Sequence, residues 1–226
     1  MAHPPKIVDH GLLPRHNDRK SKGDIVLIEA VEQHLKRLLG EPLGVIGDKK
    51  PRHVHVDLFV VPPTPTRPVL VVTTSGMAER PLLSSVGKRI WSELVLVLPE
   101  SWPTALAELQ QPERCWPLTL LRWLAHFPHE TGVGYQVGDN VGPIPQASPP
   151  PSRLAEAAML LDQPFLPPLA MVGREVRFLA VCPIFPEELA WVQREGSDAL
   201  LRAFSANDAE PLLVDPSRPS FAPTGG

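Results

Sequence analysis

His53-Val54-His55-Val56-Asp57-Leu58-Phe59-Val60-Val61, Pro68-Val69-Leu70-Val71-Val72-Thr73-Thr74 and Trp91-Ser92-Glu93-Leu94-Val95-Leu96-Val97-Leu98 are three β-branched, apolar stretches. They are set off by Pro62-Pro63, a Thr/Pro turn and Pro99. Runs of this length and composition predict strands over 53–61, 68–74 and 91–98. The first alternates apolar and polar residues. The second and third are nearly continuous, as strands covered on both faces are. The spacers are too short or too irregular for helical crossovers, so the three strands pair in sequence as an antiparallel meander.

Helices flank this block. Asp24 caps a helix over 25–39, with Ile28, Val31, Leu35, Leu38 and Leu39 at helical spacing and Gly40 as its stop. Pro103 starts a short helix through Leu106 and Leu109. Pro117 starts a longer one with Leu120, Leu121, Leu124 and Phe127 on one face. Residues 132–151 read as a Gly/Pro-rich loop with a short strand near Tyr135 to Val137 and a stiff Pro149-Pro150-Pro151. Ala157 to Leu161 is ambiguous between helix and strand, and Glu175 to Cys182 alternates as a strand. Pro186 opens a helix with acids in its first turn, Gly196 ends it, and Ser197 caps another through Phe204. Leu212-Leu213-Val214 reads as a last short strand.

Composition narrows the class. With 226 residues at roughly 150 per domain, one large domain is expected. The 29 prolines are well over twice the average share of about 5%, which argues against a helical bundle or coiled coil. Basic and acidic residues nearly balance, 22 against 25, for a net charge of -3. The one basic stretch, Arg15 to Lys22, reads as a solvated arm, so a nucleic-acid partner is not expected. No signal-peptide core or membrane-length apolar run is present, and Cys115 and Cys182 stand apart without a motif. A cytoplasmic protein without disulfides follows as the expectation.

Several constellations could carry chemistry. His53, His55 and Asp57 would share one face of a strand and could hold a metal if His126 and His129 came close, but no closed ligand set is legible, and neither a metal nor a cofactor is expected. Thr73-Thr74-Ser75-Gly76-Met77 is a Gly turn that lacks the glycines of a nucleophile elbow. Cys115 precedes a helix start, where a thiolate would be stabilised. Gly132-Val133-Gly134 with Gly138 lacks the Lys-Ser/Thr of a phosphate loop. Trp91, Trp102, Trp116, Trp123 and Trp191 read as core, with an exposed interface anchor as the other reading. No catalytic residue is assigned.

Taken in order, a set of short strings resembles the Suppressor of fused family. They are His55-Val56-Asp57, Thr73-Thr74-Ser75-Gly76-Met77, Glu93-Leu94-Val95-Leu96-Val97-Leu98-Pro99 with Trp102, Trp116-Pro117, and Phe178-Leu179-Ala180-Val181-Cys182-Pro183-Ile184. Glu187-Glu188-Leu189, Gly196 with Ala199-Leu200-Leu201, Val214-Asp215 and Arg218 complete them. The likeness covers roughly residues 24–220. It implies an α+β fold: a mixed, largely antiparallel central sheet flanked by helices on both faces. It also implies protein binding without catalysis. Animal members bind Gli-family transcription factors, and bacterial single-domain members are thought to be immunity proteins of polymorphic toxin systems.

Three departures bear on what carries over. The chain ends near one domain, and the segment after His129 reads Glu130-Thr131-Gly132-Val133-Gly134, so a Gli-like clamp does not carry over whole. Ala78 also stands where the family often has Ser.

The expectation is therefore an irregular arm over 1–23, a single domain over 24–215 and a tail over 216–226. Its function is binding a protein partner, such as a toxin, by occlusion; its surface is Arg80, Pro81, Leu82, Leu83 and Val86, between the second and third strands. The apolar members of that segment could instead plug the core. A metal or serine hydrolase, or an adaptor without a toxin, is the alternative.

Overall fold

A computed structural model describes residues 23–109, 111, 113–145 and 152–223. The basic arm before residue 23, the Pro149-Pro150-Pro151 run and the end of the tail lie outside the described residues. Helix α1 (Ile25–Leu39) begins where Asp24 Oδ1 accepts the Leu27 N–H at 3.1 Å and ends at Gly40. Its buried stripe is Leu27, Val31, His34, Leu35 and Leu39, while Leu38 is largely exposed. The stripe is thus turned toward Leu27 from the expected one. His34 is buried on α1, stacked on Phe178 at 5.4 Å. A carbonyl can only accept and a guanidinium only donate. His34 therefore donates from Nε2 to Pro167 O (2.8 Å) and accepts at Nδ1 from Arg37 (2.9 Å). Burial holds its pKa below the ordinary value, which keeps the ring neutral in this place.

Among the described residues nine strands form the sheet: β1 (Gly44–Ile46), β2 (Asp57–Val61), β3 (Val69–Ser75), β4 (Leu82–Leu83), β5 (Arg89–Pro99), β6 (Asn140–Val141), β7 (Ala157–Leu161), β8 (Leu169–Met171) and β9 (Arg174–Ile184). Their order is β1-β2-β3-β5-β9-β7-β6, with β4 added to β5 and β8 to β9. The meander is as expected: β2 to β3 and β3 to β5 are antiparallel. The β5 to β9 pairing is parallel, from Trp91↔Val176 to Val95↔Ala180. It makes the sheet mixed.

Alternation along these strands explains the layers. Leu58, Val60, Leu70, Val72, Leu94, Leu96 and Leu98 point to one face. There α3 (Trp116–Thr131) lays down Leu120, Leu121 and Leu124, and the short α2 (Leu106–Leu109) adds Leu109. Phe59, Val61, Val71, Val95, Val176 and Phe178 point to the other, against α1. Farther along, Met159, Leu161, Ala180, Cys182 and Ile184 pack on α4 (Pro186–Glu195) and α5 (Ser197–Ala206). Helices cover both faces, so strands without clean alternation are stable here.

Four local readings change. Residues 53–56 lie outside the ladder, which begins at Asp57. No strand forms at Tyr135 to Val137, where Tyr135 is anchored by its hydroxyl to Leu124 O; the strand comes at Asn140–Val141. Ser197 does not cap α5: its hydroxyl donates to Gly138 O and accepts from Asn140. Leu213 makes only an isolated bridge to Val97.

The last described segment is fastened by a buried clasp. Arg218 meets the Glu188 carboxylate with two 2.7 Å bonds, and its guanidinium lies 4.9–5.2 Å from the Phe185, Phe204 and Phe221 rings. Glu188 also accepts from Phe185 N and Phe221 N. Arg218→Lys keeps the charge but loses the planar fork and the ring contacts, so it is expected to lower stability by about 2 kcal/mol in denaturant unfolding. A cost below about 0.5 kcal/mol would deny the clasp a role.

Candidate functional site

The turn after β3 is wound around one carboxylate. Glu93 sits fully buried on β5. Its Oε1 accepts from Gly76 N and Ala78 N at 2.9 Å, and its Oε2 accepts from Thr74 Oγ1 at 2.6 Å and Met77 N at 3.3 Å. Thr74 Oγ1 in turn accepts from Leu94 N, which leaves its hydrogen for Glu93. Burial pushes the Glu93 carboxyl upward in pKa, against the pull of four donors. Other elements tie to the same turn. Arg174 bridges Ala78 O and the Asp24 carboxylate, and His129 of α3 donates to Met77 O at 3.0 Å.

From this anchored turn the chain leaves through Arg80 and Pro81 into a hairpin. Leu82 pairs with Ile90 and Leu83 with Arg89, and the turn closes through Ser84 N to Lys88 O. The loop after α3 docks alongside: Leu83 bridges Val133, Gly134 N donates to Leu83 O, and Gln136 Nε2 donates to Ser85 Oγ. Gly134 permits this closeness, because a Cβ there would lie 2.8 Å from Leu82 Cβ. The two leucines part company. Leu82 is buried in the core, whereas Leu83, Val86, Val133 and Val137 are exposed. Arg80 is half-buried beside them, and Lys88 and Arg89 are exposed. No acid occurs between Arg80 and Ser92. The result is an apolar face on a rigid base, its rim basic along the hairpin, with the exposed Asp139 accepting from Gln136 N on the side of the 133–137 loop. Val133 and Val137 are members that reading by segment misses; the only signal was exposed-looking valines set among glycines.

The histidines do come to one corner, but as separate pairs. His55 Nε2 donates to Asp57 at 2.9 Å, and His126 Nε2 donates to Asp48 at 3.1 Å. His53 is close enough to His129 to act on it electrostatically. Among the described residues no group of three His, Cys, Asp or Glu could hold a metal ion. Ser75 is buried, and its hydroxyl has no hydrogen-bond partner among the described residues. Cys115 stands at the start of α3, half-buried. Trp102 and Trp116 are core, in edge-to-face contact, while Trp123 is half-exposed and stacked on Phe127. No helix among the described residues is long and apolar enough to cross a membrane.

His129 makes the corner sensitive to acid. Burial lowers its pKa from 6.5 to about 4. The unfolded chain thus takes up this proton first as pH falls. The stability that His129 contributes is whole above pH 6.5, declines through the window, and is gone below about 4. Burial shifts His34 and His126 in the same direction. Melting temperature is expected to fall across this window, and His129→Gln to flatten part of the fall. Identical profiles for the two proteins would contradict the assignment.

Residues 52–219 match the family described as Suppressor of fused protein. No curated protein sequence matches the chain. Solved structures share its fold. A Suppressor of fused homolog from Neisseria gonorrhoeae FA 1090 is 18% identical with a TM-score of 0.58, covering 89% of this chain and 100% of that one. The Sufu-Fu complex aligns at 16% identity and a TM-score of 0.61, covering 86% and 92%. Drosophila Suppressor of Fused aligns at 18% and 0.59, covering 86% of this chain and 51% of its own. This chain therefore spans about half of the Drosophila protein.

Proposed function

Because the chain belongs to the Suppressor of fused family, we propose that it is a non-catalytic protein-binding domain, and more narrowly a cytoplasmic immunity protein that neutralises a partner toxin by occlusion. Residues 24–215 form the domain in this reading, and the segment after them is fastened to it by the Arg218–Glu188 clasp. The observation that carries it is the exposed face of Leu83, Val86, Val133 and Val137 rimmed by Arg80, Lys88 and Arg89. Each apolar side chain covered by a partner contributes up to about 1.5–3 kcal/mol, and three cations with no acid between Arg80 and Ser92 steer an acidic surface toward them. The glutamate-anchored turn holds the face in place, which limits the entropy lost on binding. That the neighbouring fold occurs in a Sufu-Fu complex supports protein binding as the activity.

The experiment couples capture to growth. The chain is used to pull down partners from its native host, and the identified partner is then co-expressed with it in a test strain. The expected result is that the partner arrests growth and the chain restores it. Leu83→Asp and Val86→Asp are expected to lose capture and rescue with melting unchanged. Leu82→Asp is expected to fail differently, by burying an unpaired carboxylate and unfolding the domain. A partner that is harmless to growth would remove the immunity reading, and full rescue by Val86→Asp and Leu83→Asp would remove this face.

A further inference from the structure

β1 is the terminal strand of the sheet, paired to β2 through Gly44↔Val60, Val45↔Phe59 and Ile46↔Leu58, with no described strand beyond it. Such a strand has main-chain groups open to another chain, apart from Ile46 O, which Arg122 already holds at 2.8 Å. Leu43 and Val45, two positions apart and so on one face, are 45% and 44% exposed, while Ile46 points into the core. Just past Ile46 the chain turns through Gly47–Lys50 and borders a cavity of about 300 Å³ lined by Asp48, Lys49, Lys50, Thr119 and Arg122 among others. Three cations line it against one acid. That acid is turned inward: the Asp48 side chain is 2% exposed and accepts from Lys50 N, Val56 N and His126. Arg122 donates to Ile46 O and Gly47 O, which holds the end of β1 on α3. Lys49 and Lys50 are exposed and make no ion pair among the described residues. An electropositive cavity therefore abuts an open strand edge with two exposed apolar side chains.

We infer that this edge takes an extended acidic peptide, its main chain adding antiparallel to β1, its apolar side chains resting on Leu43 and Val45, and its amino-terminal carboxylates entering the cavity lined by Lys49, Lys50 and Arg122. The polarity follows from the pairing: β1 runs toward Lys49, so an antiparallel strand brings its amino end there. These residues are distinct from those of the hairpin face, and the inference stands or falls apart from the toxin reading. Lysines at an edge can also serve to repel a second chain. That role predicts no peptide uptake, and self-association once the lysines are reversed.

The test uses two probes labelled at the carboxyl end, Asp-Glu-Val-Thr-Val-Thr and Lys-Lys-Val-Thr-Val-Thr, titrated with the full chain. Binding is read by fluorescence anisotropy and by backbone amide shifts. The acidic probe is expected to bind at least about ten-fold tighter than the basic one, and to weaken between about 50 mM and about 300 mM salt. Shifts are expected across residues 43–50. The Lys49→Glu/Lys50→Glu double variant is expected to reverse the preference with its melting temperature kept. Absent binding, equal binding of both probes, or an unchanged preference in the double variant overturns the inference. Shifts confined to Lys49, Lys50 and Arg122 overturn it in favour of a small-anion site. Dimerisation of the double variant, with no uptake by the parent chain, overturns it in favour of a guarded edge.

Discussion

Glu93→Ala is expected to lower stability by about 4 kcal/mol, a large part of the 5–15 kcal/mol typical of a domain. The change removes the acceptor for three backbone N–H groups and for the Thr74 hydroxyl, all in a buried place. Each orphaned donor costs about 1–3 kcal/mol, less whatever water enters the space left by the side chain. Glu93→Gln separates this from mere packing. It fills the same volume but turns an NH2 group toward donors, so about 2 kcal/mol is expected, between the parent and the alanine variant. Denaturant unfolding of the three proteins checks the order. If alanine and glutamine cost the same, or either costs under about 1 kcal/mol, the carboxylate is not what holds the turn.

Gly76→Ala is expected to be at least as damaging, for a different reason. Gly76 lies at φ +120°, and a Cβ there would sit 1.8 Å from the His55 carbonyl oxygen. Neither atom can yield alone, since the oxygen belongs to the backbone that crosses the turn. A loss of about 4 kcal/mol or more is expected, seen as insoluble expression or a collapsed melting temperature. Gly87→Ala provides the comparison. Gly87 also has a positive φ, +73°, but a Cβ there would meet nothing within 4 Å. It is expected to cost only about 1 kcal/mol, the conformational penalty by itself. Equal losses at the two positions would show that the close approach of the two chain segments is unimportant.

The long elements were legible because their signals are local. A capping aspartate, a 3.6-residue stripe and a glycine stop mark α1, and proline-bounded β-branched runs mark β2, β3 and β5. β1, β4, β6 and β8 have two or three residues each, too few for any period to show. His53 to Val56 misled because its valines are buried, but beside the ladder rather than within it. The family resemblance brought the parallel partner of β5 into view only as a mixed sheet. The candidate face was half legible. Leu82 and Leu83 are neighbours of one residue type, and only the register against Ile90 and Arg89 decides which is core. Val133 joins the face through a bridge from Leu83 across 50 residues of sequence, which no local pattern records.

The parallel pairing of β5 with β9 also sets a timetable. Trp91 to Val95 find their partners only when Val176 to Ala180 have been made. Until then the β5 margin of a β2-β3-β5 meander is apolar and has no β9 to pair with, since the β9-β7-β6 half of the sheet is still missing. Contacts so distant in sequence close slowly, and an open strand margin is what neighbouring chains on a polysome pair with most readily. Slower translation or delayed release of the second half thus lengthens the interval in which the chain is open to aggregation. The vulnerable surface in that interval is one that the finished protein keeps at its centre.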